Sequence, residues 1–318
     1  MSIKTRILVI SDTHANSFDV LPEHKADVLI HCGDLTDESK IEEYHKTIAL
    51  IKAIDAPLKL VIGGNHDFTL DTPTFKRQID DAAEPLEREL VLREYGDFGE
   101  ARRLFDEAGG ITFLDEGTHK FDLQNGASMT VYASPCTPSF GGNGFQYPPN
   151  IGHEFNIGKD TDIVITHGPP QGIMDRVNTK RKGCQDLFKA VARARPRLHC
   201  FGHIHEEWGA KLVAWREQPS PSPSHFTDLD NHQSKIIDRL ANIKASKYDS
   251  PKMRASKLDR AQQYLRQGYR ATSHCDGDED TLVKGKHTLF VNAAIEGFEK
   301  GLQPPWLVDI DLPAATPS

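Results

Sequence analysis

Short runs of apolar residues recur along the chain, and each is bounded by Gly, Pro or Asp. Most are continuous and rich in β-branched residues, which is typical of strands buried on both faces of a sheet. The predicted strands are RILVIS (6–11), DVLIHCG (27–33), LKLVIGG (58–64), ITFLDE (111–116), SMTVYAS (128–134), DIVITHG (162–168), LHCFGH (198–203), KLVAW (211–215), TLFVNAA (288–294) and WLVDIDL (306–312).

Helical periodicity appears between some of these runs. ESKIEEYHKTIALIKAI (38–54) has apolar residues at helical spacing, and CQDLFKAVARARP (184–196) has an apolar face and ends at Pro196. Strands that alternate with helices favour a layered α/β fold with the helices outside. The region 111–134 passes from strand to strand without a helix, so we expect part of the sheet to be antiparallel.

The segment 218–286 interrupts this pattern. It opens with PSPSPS, and between 235 and 270 it contains ten Lys or Arg against three Asp. Weak helical periodicity in IIDRLANI (236–243) and LDRAQQYLRQG (258–268) predicts one or two polar helices there. We expect a polar, locally basic surface insertion, partly disordered, within a single domain of residues 1–318. The alternative is a patch that docks an acidic partner.

Composition narrows the function. The 318 residues carry a formal net charge of −8, which argues against a nucleic-acid partner. The apolar runs are strand-sized and the N-terminus shows no secretory signal pattern, so we expect no membrane span. The five cysteines are scattered and odd in number, as expected for reduced thiols in a cytoplasmic protein. The absence of a CxxC pair argues against a thiolate zinc site.

Side chains that ligate hard or borderline metals follow five of the predicted strands. In an open α/β sheet, ligands bind beyond the carboxyl ends of the strands, so we expect these side chains to converge. They are Asp12 and His14 in SDTH, Asp34 in CGDLTD, Asn65 and His66 in GGNHD, His167 in THGPP, and His203 and His205 in GHIH.

The residue types fit a metal centre. A carboxylate such as Asp34 can bridge two cations, and a mixed set of oxygens and imidazoles suits Mn, Fe or Zn. Two cations about 3.5–4 Å apart activate a bridging hydroxide for in-line attack on a phosphoester. Each motif alone has a structural explanation: Asp12 and GDLTD can cap a turn or a helix, and His167 can be a turn histidine. Their joint occurrence at strand ends favours the metal centre.

This series of motifs, D-x-H, G-D, G-N-H-D, H-G and G-H-x-H, resembles the calcineurin-like metallophosphoesterase superfamily. More narrowly, the chain is similar to the metallophosphoesterase-domain-containing branch, which is related to class III cyclic nucleotide phosphodiesterases. The narrower likeness rests on DVLIHCGDLT, YASPCTPSFGGNGFQY, VITHGPPQGIMD, GCQDLFKAVARARPRLHCFGHIHEEWGA, TLFVNAA and PPWLVDIDLP. It implies the metallophosphoesterase fold, a four-layer α/β/β/α sandwich with mixed sheets.

The resemblance also implies roles for individual residues. His66 is the implied general acid at the leaving group, and Asp67 would fix its orientation. The implied cofactors are two divalent cations, Mn, Fe or Zn, with Mg as a further candidate. The implied ligands are Asp12, His14 and His205 for the first cation, Asn65, His167 and His203 for the second, and Asp34 as the bridge. The chain departs from the family pattern at Cys136, where relatives commonly carry Trp, and in the insertion after Trp215.

Some side chains are candidates for contact with a substrate. Phe140, Phe145 and Tyr147 lie in a glycine-rich loop and could form an apolar floor for a base or aryl group, or could only anchor the loop. Arg176, in a basic run, could approach a phosphate or belong to a solvated surface. Trp208 follows the last candidate ligand, and it could shield the site or lie in the core.

The sequence therefore predicts a dinuclear metal-dependent phosphoesterase. We expect a small phosphodiester as substrate, with cyclic nucleotides among the candidates, and the oligomeric state is left open. Two alternatives remain: a phosphomonoesterase such as a phosphoprotein phosphatase, and a non-catalytic scaffold that uses the same fold to bind a partner.

Overall fold

Two mixed sheets with helices on their outer faces make up the part of the chain that this computed structural model describes, residues 2–18, 25–83, 86–296 and 303–316. The strands are β1 (Ser2–Ile10), β2 (Val28–His31), β3 (Leu58–Val61), β4 (Thr112–Phe113), β5 (Gly117–Asp122), β6 (Ser128–Ser134), β7 (Thr137–Pro138), β8 (Gln146–Tyr147), β9 (Ile163–Thr166), β10 (Arg176–Val177), β11 (Lys180–Arg181), β12 (Leu198–Phe201), β13 (Gly209–Trp215), β14 (Leu229–Arg239), β15 (Arg270–Ser273), β16 (His287–Asn292) and β17 (Trp306–Pro313).

The helices alternate with the strands in the first half of the chain. Short 3-10 helices at Phe68–Leu70, His205–Glu207 and Leu240–Asn242 complete the elements within the described ranges. None of the described helices is both long and apolar enough to cross a membrane. The α-helices are α1 (Ile41–Ala53), α2 (Thr72–Asp80), α3 (Arg88–Tyr95), α4 (Glu100–Ala108), α5 (Gln185–Ala194) and α6 (Pro251–Gln267).

Both large sheets combine parallel and antiparallel pairs. The first has the strand order β15-β17-β1-β2-β3-β4, in which β1 to β4 are parallel and β17 is antiparallel to β1. The second has the order β14-β13-β16-β12-β9-β6-β5, with a parallel centre from β16 to β6 and antiparallel strands at both edges. Two further two-stranded ladders pair β7 with β8 and β10 with β11.

Successive side chains of β1 point to opposite faces of the first sheet, and their contacts show how the layers are stacked. Ile7 and Val9 point into a central cluster that also contains apolar residues of the second sheet, whereas Leu8 and Ile10 point into a cluster shared with α1 and α4. All four are at most 1% exposed. Because burying each such side chain contributes about 1.5–3 kcal/mol, a sheet with both faces apolar needs a layer on each side.

The second sheet is covered in the same way. Val164, Phe201 and Phe290 turn outward from it and pack against Phe188 and Val191 of α5. The layers are therefore helices α1 and α4, the first sheet, the second sheet, and helix α5. This order confirms the predicted four-layer α/β/β/α sandwich with mixed sheets.

Most predicted elements are present. All ten predicted strands and both of the helices predicted outside the insertion form, and the antiparallel pairing expected in the region 111–134 is made by β6 with β5, whereas the predicted strand ITFLDE forms β4 and pairs with β3 in parallel. Helix α5 ends at Ala194, two residues before Pro196, and the intervening Arg195 adopts a left-handed conformation with φ of 53°. The Pro196 ring disfavours a helical conformation in the residue before it, which explains where the helix stops.

The polar segment 218–286 is more ordered than the sequence predicts. Its strand β14 pairs with β13 at one edge of the second sheet, and β15 pairs with β17 at the edge of the first. Helix α6 forms over LDRAQQYLRQG, as predicted. The prediction of a helix over IIDRLANI is wrong, because Ile236–Arg239 belong to β14. Pairing with β13 satisfies the backbone groups of these residues and outweighs their weak helical periodicity.

Asp238 ties the parts of this segment together. Its carboxylate is 3% exposed and accepts hydrogen bonds from Asn242, from Tyr264 of α6 at 2.8 Å and from Arg270 of β15 at 3.0 Å. Burial opposes the charged form, but these donors outweigh it and hold the pKa of Asp238 below its usual value. The ionised carboxylate therefore stabilises the folded segment.

We expect Asp238→Ala to lower the free energy of unfolding by about 3 kcal/mol, because it leaves a buried tyrosine and a guanidinium without their acceptor. In wild type this contribution is complete above pH about 3.9 and is lost as pH falls through the lower folded pKa. Urea unfolding at pH 7 measures the loss, with the exposed Asp259→Ala on α6 as the control. Equal stability of both variants would show that Asp238 is not a structural centre.

Candidate metal centre

The carboxyl ends of five parallel strands meet at one edge of the sandwich. Strands β1, β2 and β3 contribute from the first sheet, and β9 and β12 from the second. A single backbone bridge between Ser11 and Ala294 joins the two sheets at this edge. The structure thus brings together the seven predicted ligands and the predicted acid His66, which follow these strands.

Four of these residues turn the chain sharply. Asp12, His14, Asp34 and His203 have positive φ angles of 54°, 46°, 51° and 68°. Left-handed backbone is unfavourable for residues other than glycine, and it persists where the surrounding structure determines it. Among the described residues, these four account for four of the ten non-glycine residues with positive φ.

A first group of ligand atoms comes from β1 and β12. Asp12, His14 and His205 each place one such atom within 4.8 Å of the others. The Asp12 carboxylate is buried, accepts a hydrogen bond from the backbone N–H of His203 at 3.0 Å, and lies 3.1 Å from Nε2 of His205. The His14 and His205 rings are 5.5 Å apart.

A second group comes from β2, β9 and β12. Asp34, His167 and His203 meet the same 4.8 Å limit. His167 is fully buried, and its Nδ1 donates to the carbonyl of Cys32 at 2.9 Å, so Nε2 faces the site. The amide oxygen of Asn65 lies 3.0 Å from that Nε2.

Asp34 lies between the two groups. Its Oδ2 is 3.2 Å from Nε2 of His167 and 4.0 Å from Nε2 of His14, while its Oδ1 accepts the backbone N–H of His66 at 2.9 Å. One carboxylate therefore faces an imidazole of each group. This position suits a ligand shared by two cations.

Charge is balanced across the site. Burial alone would raise the pKa of Asp34, but the charge of His167 lowers it to about 2. Burial alone would lower the pKa of His167, but the charge of Asp34 raises it to about 9. Asp12 and His205 affect each other in the same way: the pKa of Asp12 is held far below its usual value despite burial, and the pKa of His205 is raised to about 9. Burial lowers the pKa of His203 to about 4. The two buried carboxylates thus need positive charge beside them.

The residues fit divalent cations. Nε2 of His14 is buried and makes no hydrogen bond within the residues that the structure describes, although a carboxylate oxygen of Glu296 lies 3.3 Å away. A buried imidazole nitrogen without a hydrogen bond is costly unless it has a ligand, and neutral imidazole is a common metal ligand. The carboxylates, imidazoles and one amide oxygen match the preferences of Mn, Fe and Zn.

Glycines allow the close packing of this site. A Cβ on Gly202 would clash with the Asp12 carboxylate and the Ser11 hydroxyl, and a Cβ on Gly64 would clash with Asp34. Both carboxylates are buried and held by hydrogen bonds, so they cannot move aside freely. These two strand ends therefore need a residue without a side chain.

We expect Gly202→Ala to weaken metal binding and to lower the rate of the metal-dependent hydrolysis that the sequence predicts by about 100-fold, because a displacement of about 1 Å at a reacting centre has effects of this size. Gly141→Ala is the control, since its Cβ would meet only the movable side chains of Ser139 and Gln146. Metal content and hydrolysis rate are measured for both. If Gly202→Ala retains wild-type metal content and rate, Asp12 is not a ligand in the position that the structure gives it.

His66 lies at the open side of the site. Its side chain is 38% exposed and its ring is 4.8 Å from that of His14. Nδ1 donates to the carbonyl of Asp37 at 2.7 Å, which leaves Nε2 free. Burial lowers the pKa of His66, but the charge of Asp34 and the bond to Asp37 outweigh it, so the net shift is upward.

The expected role of Asp67 needs correction. Its buried carboxylate accepts hydrogen bonds from the backbone of Leu35, Thr36 and Gly64 and from the Thr36 hydroxyl. Burial and the charge of Asp34 raise its pKa to about 6. These donors occupy the carboxylate, so Asp67 ties the loops after β2 and β3 together, whereas Asp37 orients the His66 ring.

Two carboxylates at the site were not anticipated. Oδ1 of Asp37 lies 3.8 Å from Nδ1 of His14 and 3.7 Å from Nδ1 of His66. Oε2 of Glu296 lies 3.3 Å from Nε2 of His14 and 3.4 Å from Nδ1 of His205. Both side chains are partly exposed. The position of Glu296 shortly after β16 could have predicted its place at the site, because β16 is parallel to β12 and ends at the same edge.

The aromatic loop residues separate into different environments. Phe145 lies against the end of β3, where a Cβ on Gly63 would be 2.6 Å from its ring, so it borders the candidate centre. Tyr147 stacks on His153 and bonds to the Cys184 sulfur at 2.9 Å, which anchors the loop to the body. Phe140 is 76% exposed and projects into solvent. A continuous apolar floor is therefore not formed by these three rings.

The two remaining candidates also differ. Arg176 is exposed on the β10–β11 hairpin, which lies near the 3-10 helix that begins at His205. Trp208 does not line a substrate surface. It is fully buried, stacks on Trp306 at 4.9 Å, and its Nε1 donates to the carbonyl of Pro304.

Comparison with known proteins gives consistent matches. The sequence profile of the family described as calcineurin-like phosphoesterase matches residues 5–207, a range that contains every candidate ligand and ends before the polar segment. Human metallophosphoesterase domain-containing protein 1 is 33% identical over 214 residues, which cover 64% of this chain and 62% of that protein. A UPF0046 protein of Caenorhabditis elegans is 30% identical over 210 residues, or 64% of each chain.

A further relative carries a different name. A probable rhamnogalacturonate lyase C of Emericella nidulans is 34% identical over 213 residues, which cover 66% of this chain but 18% of that protein. The chain spans less than two thirds of the length of all three relatives. A lyase activity is therefore not transferred to this chain.

Proposed function

Because the chain belongs to the calcineurin-like phosphoesterase family, we propose that it hydrolyses phosphodiesters at a centre of two divalent cations. The observation that carries the proposal is the position of Asp34, whose Oδ2 lies 3.2 Å from His167 of one ligand group and 4.0 Å from His14 of the other. A shared carboxylate between two groups of ligand atoms is what a dinuclear centre requires.

The candidate ligands divide between the two cations. Asp34 would contribute to both sites, and a pair of cations bound there would lower the pKa of a water molecule and neutralise the charge of the phosphate. Mn, Fe and Zn all suit this mixed set of oxygens and nitrogens, and Mg is a further candidate. Asp12, His14 and His205 would hold the first cation, and Asn65, His167 and His203 the second.

His66 is the residue that would protonate the leaving group. Its Nδ1–H donates to the Asp37 carbonyl, so the ring is held in one orientation with Nε2 toward the open side. When the P–O bond to the leaving group breaks, a proton on Nε2 can pass to the departing oxygen. A general acid of this kind matters most for leaving groups that are poor as anions.

Two carboxylates lie at the border of the site. Asp37 and Glu296 are next to His14, and both side chains reach solvent. A phosphodiester carries one negative charge and a monoester carries up to two at neutral pH, so these carboxylates oppose more of the attraction that two cations would exert on a monoester than on a diester. Phe145 beside β3 offers one apolar contact for an aryl group or base. Small diesters, including cyclic nucleotides in the cytoplasm, are the proposed substrate class.

The experiment is reconstitution of the metal-free protein with Mn²⁺, Fe²⁺, Zn²⁺ or Mg²⁺, assayed on p-nitrophenyl phosphate and bis-p-nitrophenyl phosphate. We expect at least one metal to restore hydrolysis, with the diester preferred. Preference for the monoester would favour a phosphatase and refute the diester assignment. A metal-loaded protein that hydrolyses neither ester, nor any cyclic nucleotide, would favour the non-catalytic scaffold.

A further inference from the structure

A second group of possible metal ligands lies apart from the candidate metal centre. Glu116 precedes β5, Cys136 follows β6, and His153 lies in the loop before β9. Their ligand atoms all lie within 4.8 Å of one another. Nε2 of His153 is 2.7 Å from Oε1 of Glu116, and the sulfur of Cys136 is 3.8 Å from Oε2 of the same carboxylate.

We propose that Glu116, Cys136 and His153 bind a zinc ion. A thiolate, an imidazole and a carboxylate together form a donor set that zinc favours and that Mg²⁺ or Ca²⁺ does not. The three ligands come from segments far apart in the sequence, so no short motif such as CxxC predicts them. This site goes beyond the proposed phosphoesterase function and does not depend on it.

The distances suit tetrahedral coordination. Ligand atoms around zinc at ordinary bond lengths stand about 3.4–3.6 Å apart. The nitrogen–oxygen and sulfur–oxygen separations in the group, 2.7 Å and 3.8 Å, lie on either side of that range. The two separations are measured to different oxygens of Glu116, so the side chains would adjust for one oxygen, the sulfur and the nitrogen to bind a single ion, and a water molecule would complete the fourth position.

Neighbouring residues hold the ligands in place. The buried Tyr132 donates its hydroxyl to Oε1 of Glu116 at 3.1 Å. The His153 ring stacks on Tyr147 at 5.1 Å and meets Phe155 edge-on at 4.7 Å, which limits its rotation. Such supporting contacts are typical of metal sites, where they orient the ligands.

The site is accessible from solvent. The Cys136 and His153 side chains are partly exposed, and His153 also lines an open surface cavity with Asp186 and Lys189. Zinc bound here would tie the loop before β9 to the ends of β5 and β6. The same loop region carries Phe145 to the border of the candidate metal centre, so zinc bound here would also hold Phe145 in place at that border.

Cobalt substitution tests the proposal on the full-length chain. Cobalt bound to a thiolate gives a charge-transfer band in the near ultraviolet, and the candidate metal centre contains no cysteine. We expect the band in wild type and in His205→Ala, and its loss in Cys136→Ser and His153→Ala. Zinc analysis after dialysis should show one ion fewer per chain in Cys136→Ser. The matched control Cys275→Ser should retain both the band and the zinc.

A milder variant and a chemical probe complete the test. Tyr132→Phe keeps the three ligands and should weaken zinc affinity by about 10–100-fold, as expected for loss of a supporting hydrogen bond. Zinc should also slow alkylation of Cys136 in wild type, which needs no variant that folds poorly. Absence of the band in wild type, its persistence in Cys136→Ser, or alkylation unaffected by zinc would each overturn the proposal.

Discussion

Asp34→Asn is expected to abolish tight binding of both cations and to lower phosphodiester hydrolysis by about 1000-fold or more. The variant keeps the shape of the side chain and an oxygen that can accept the backbone N–H of His66. It removes the negative charge that faces His167 at 3.2 Å and His14 at 4.0 Å. Metal ions contribute several kcal/mol of transition-state stabilisation, and each 1.36 kcal/mol corresponds to a tenfold rate.

The measurement combines metal analysis after dialysis with the rate at saturating metal. Asp55→Asn, an exposed carboxylate on the loop before β3, is the matched control and should behave like wild type. If Asp34→Asn keeps two cations per chain with unchanged affinity, Asp34 does not bridge them. Loss of only one cation would assign Asp34 to a single group.

His66→Ala is expected to lower turnover of diesters with poor leaving groups by about 100- to 10,000-fold while metal content stays at the wild-type level. The ring is held through Nδ1 by the Asp37 carbonyl and is partly exposed, so its removal leaves the ligand groups in place. A diester with a p-nitrophenyl leaving group should lose much less, because that anion departs without a proton.

The comparison of the two leaving groups is therefore the informative measurement. His45→Ala, an exposed histidine on α1, is the control and should leave both rates unchanged. Equal losses for the good and the poor leaving group would show that His66 binds substrate or supports the metal centre instead of donating a proton. A large fall in metal content would make it a ligand.

The layered fold was predictable because its strands are continuous apolar runs. A strand such as β1 is buried on both faces, with Ile7 and Leu8 at most 1% exposed. Its sequence therefore predicts a strand without knowledge of which residues face which side of the sheet. Strand β5 was not predicted. Its residues alternate between partly buried and exposed at a sheet edge, and such a pattern is weak without knowledge of the partner strand.

The convergence of candidate ligands was predictable for a different reason. Parallel strands end at the same edge, so motifs after β1, β2, β3, β9 and β12 must lie near one another. Contacts that depend on loop geometry were not predictable. The hydrogen bonds of Asp67 to the loop after β2 and the approach of Glu296 to His14 involve residues far apart in sequence, and no spacing encodes them.

The insertion shows the limit of reasoning from composition. Its polarity and its Lys and Arg residues predict solvation, and α6 is indeed largely exposed. Composition gives no information about edge pairing, which needs only a backbone partner with free donors and acceptors. Strands β14 and β15 find such partners in β13 and β17, and Asp238 links them through α6.

Titration of the metal-free protein with Mn²⁺ tests the central claim most directly. Bound Mn²⁺ and the rate of bis-p-nitrophenyl phosphate hydrolysis are followed in the same samples; Mn²⁺ is chosen because it does not favour the thiolate of Cys136. The dinuclear account predicts that activity rises until two Mn²⁺ are bound per chain and then stays constant. Full activity with a single Mn²⁺, or activity that does not depend on metal, would contradict it.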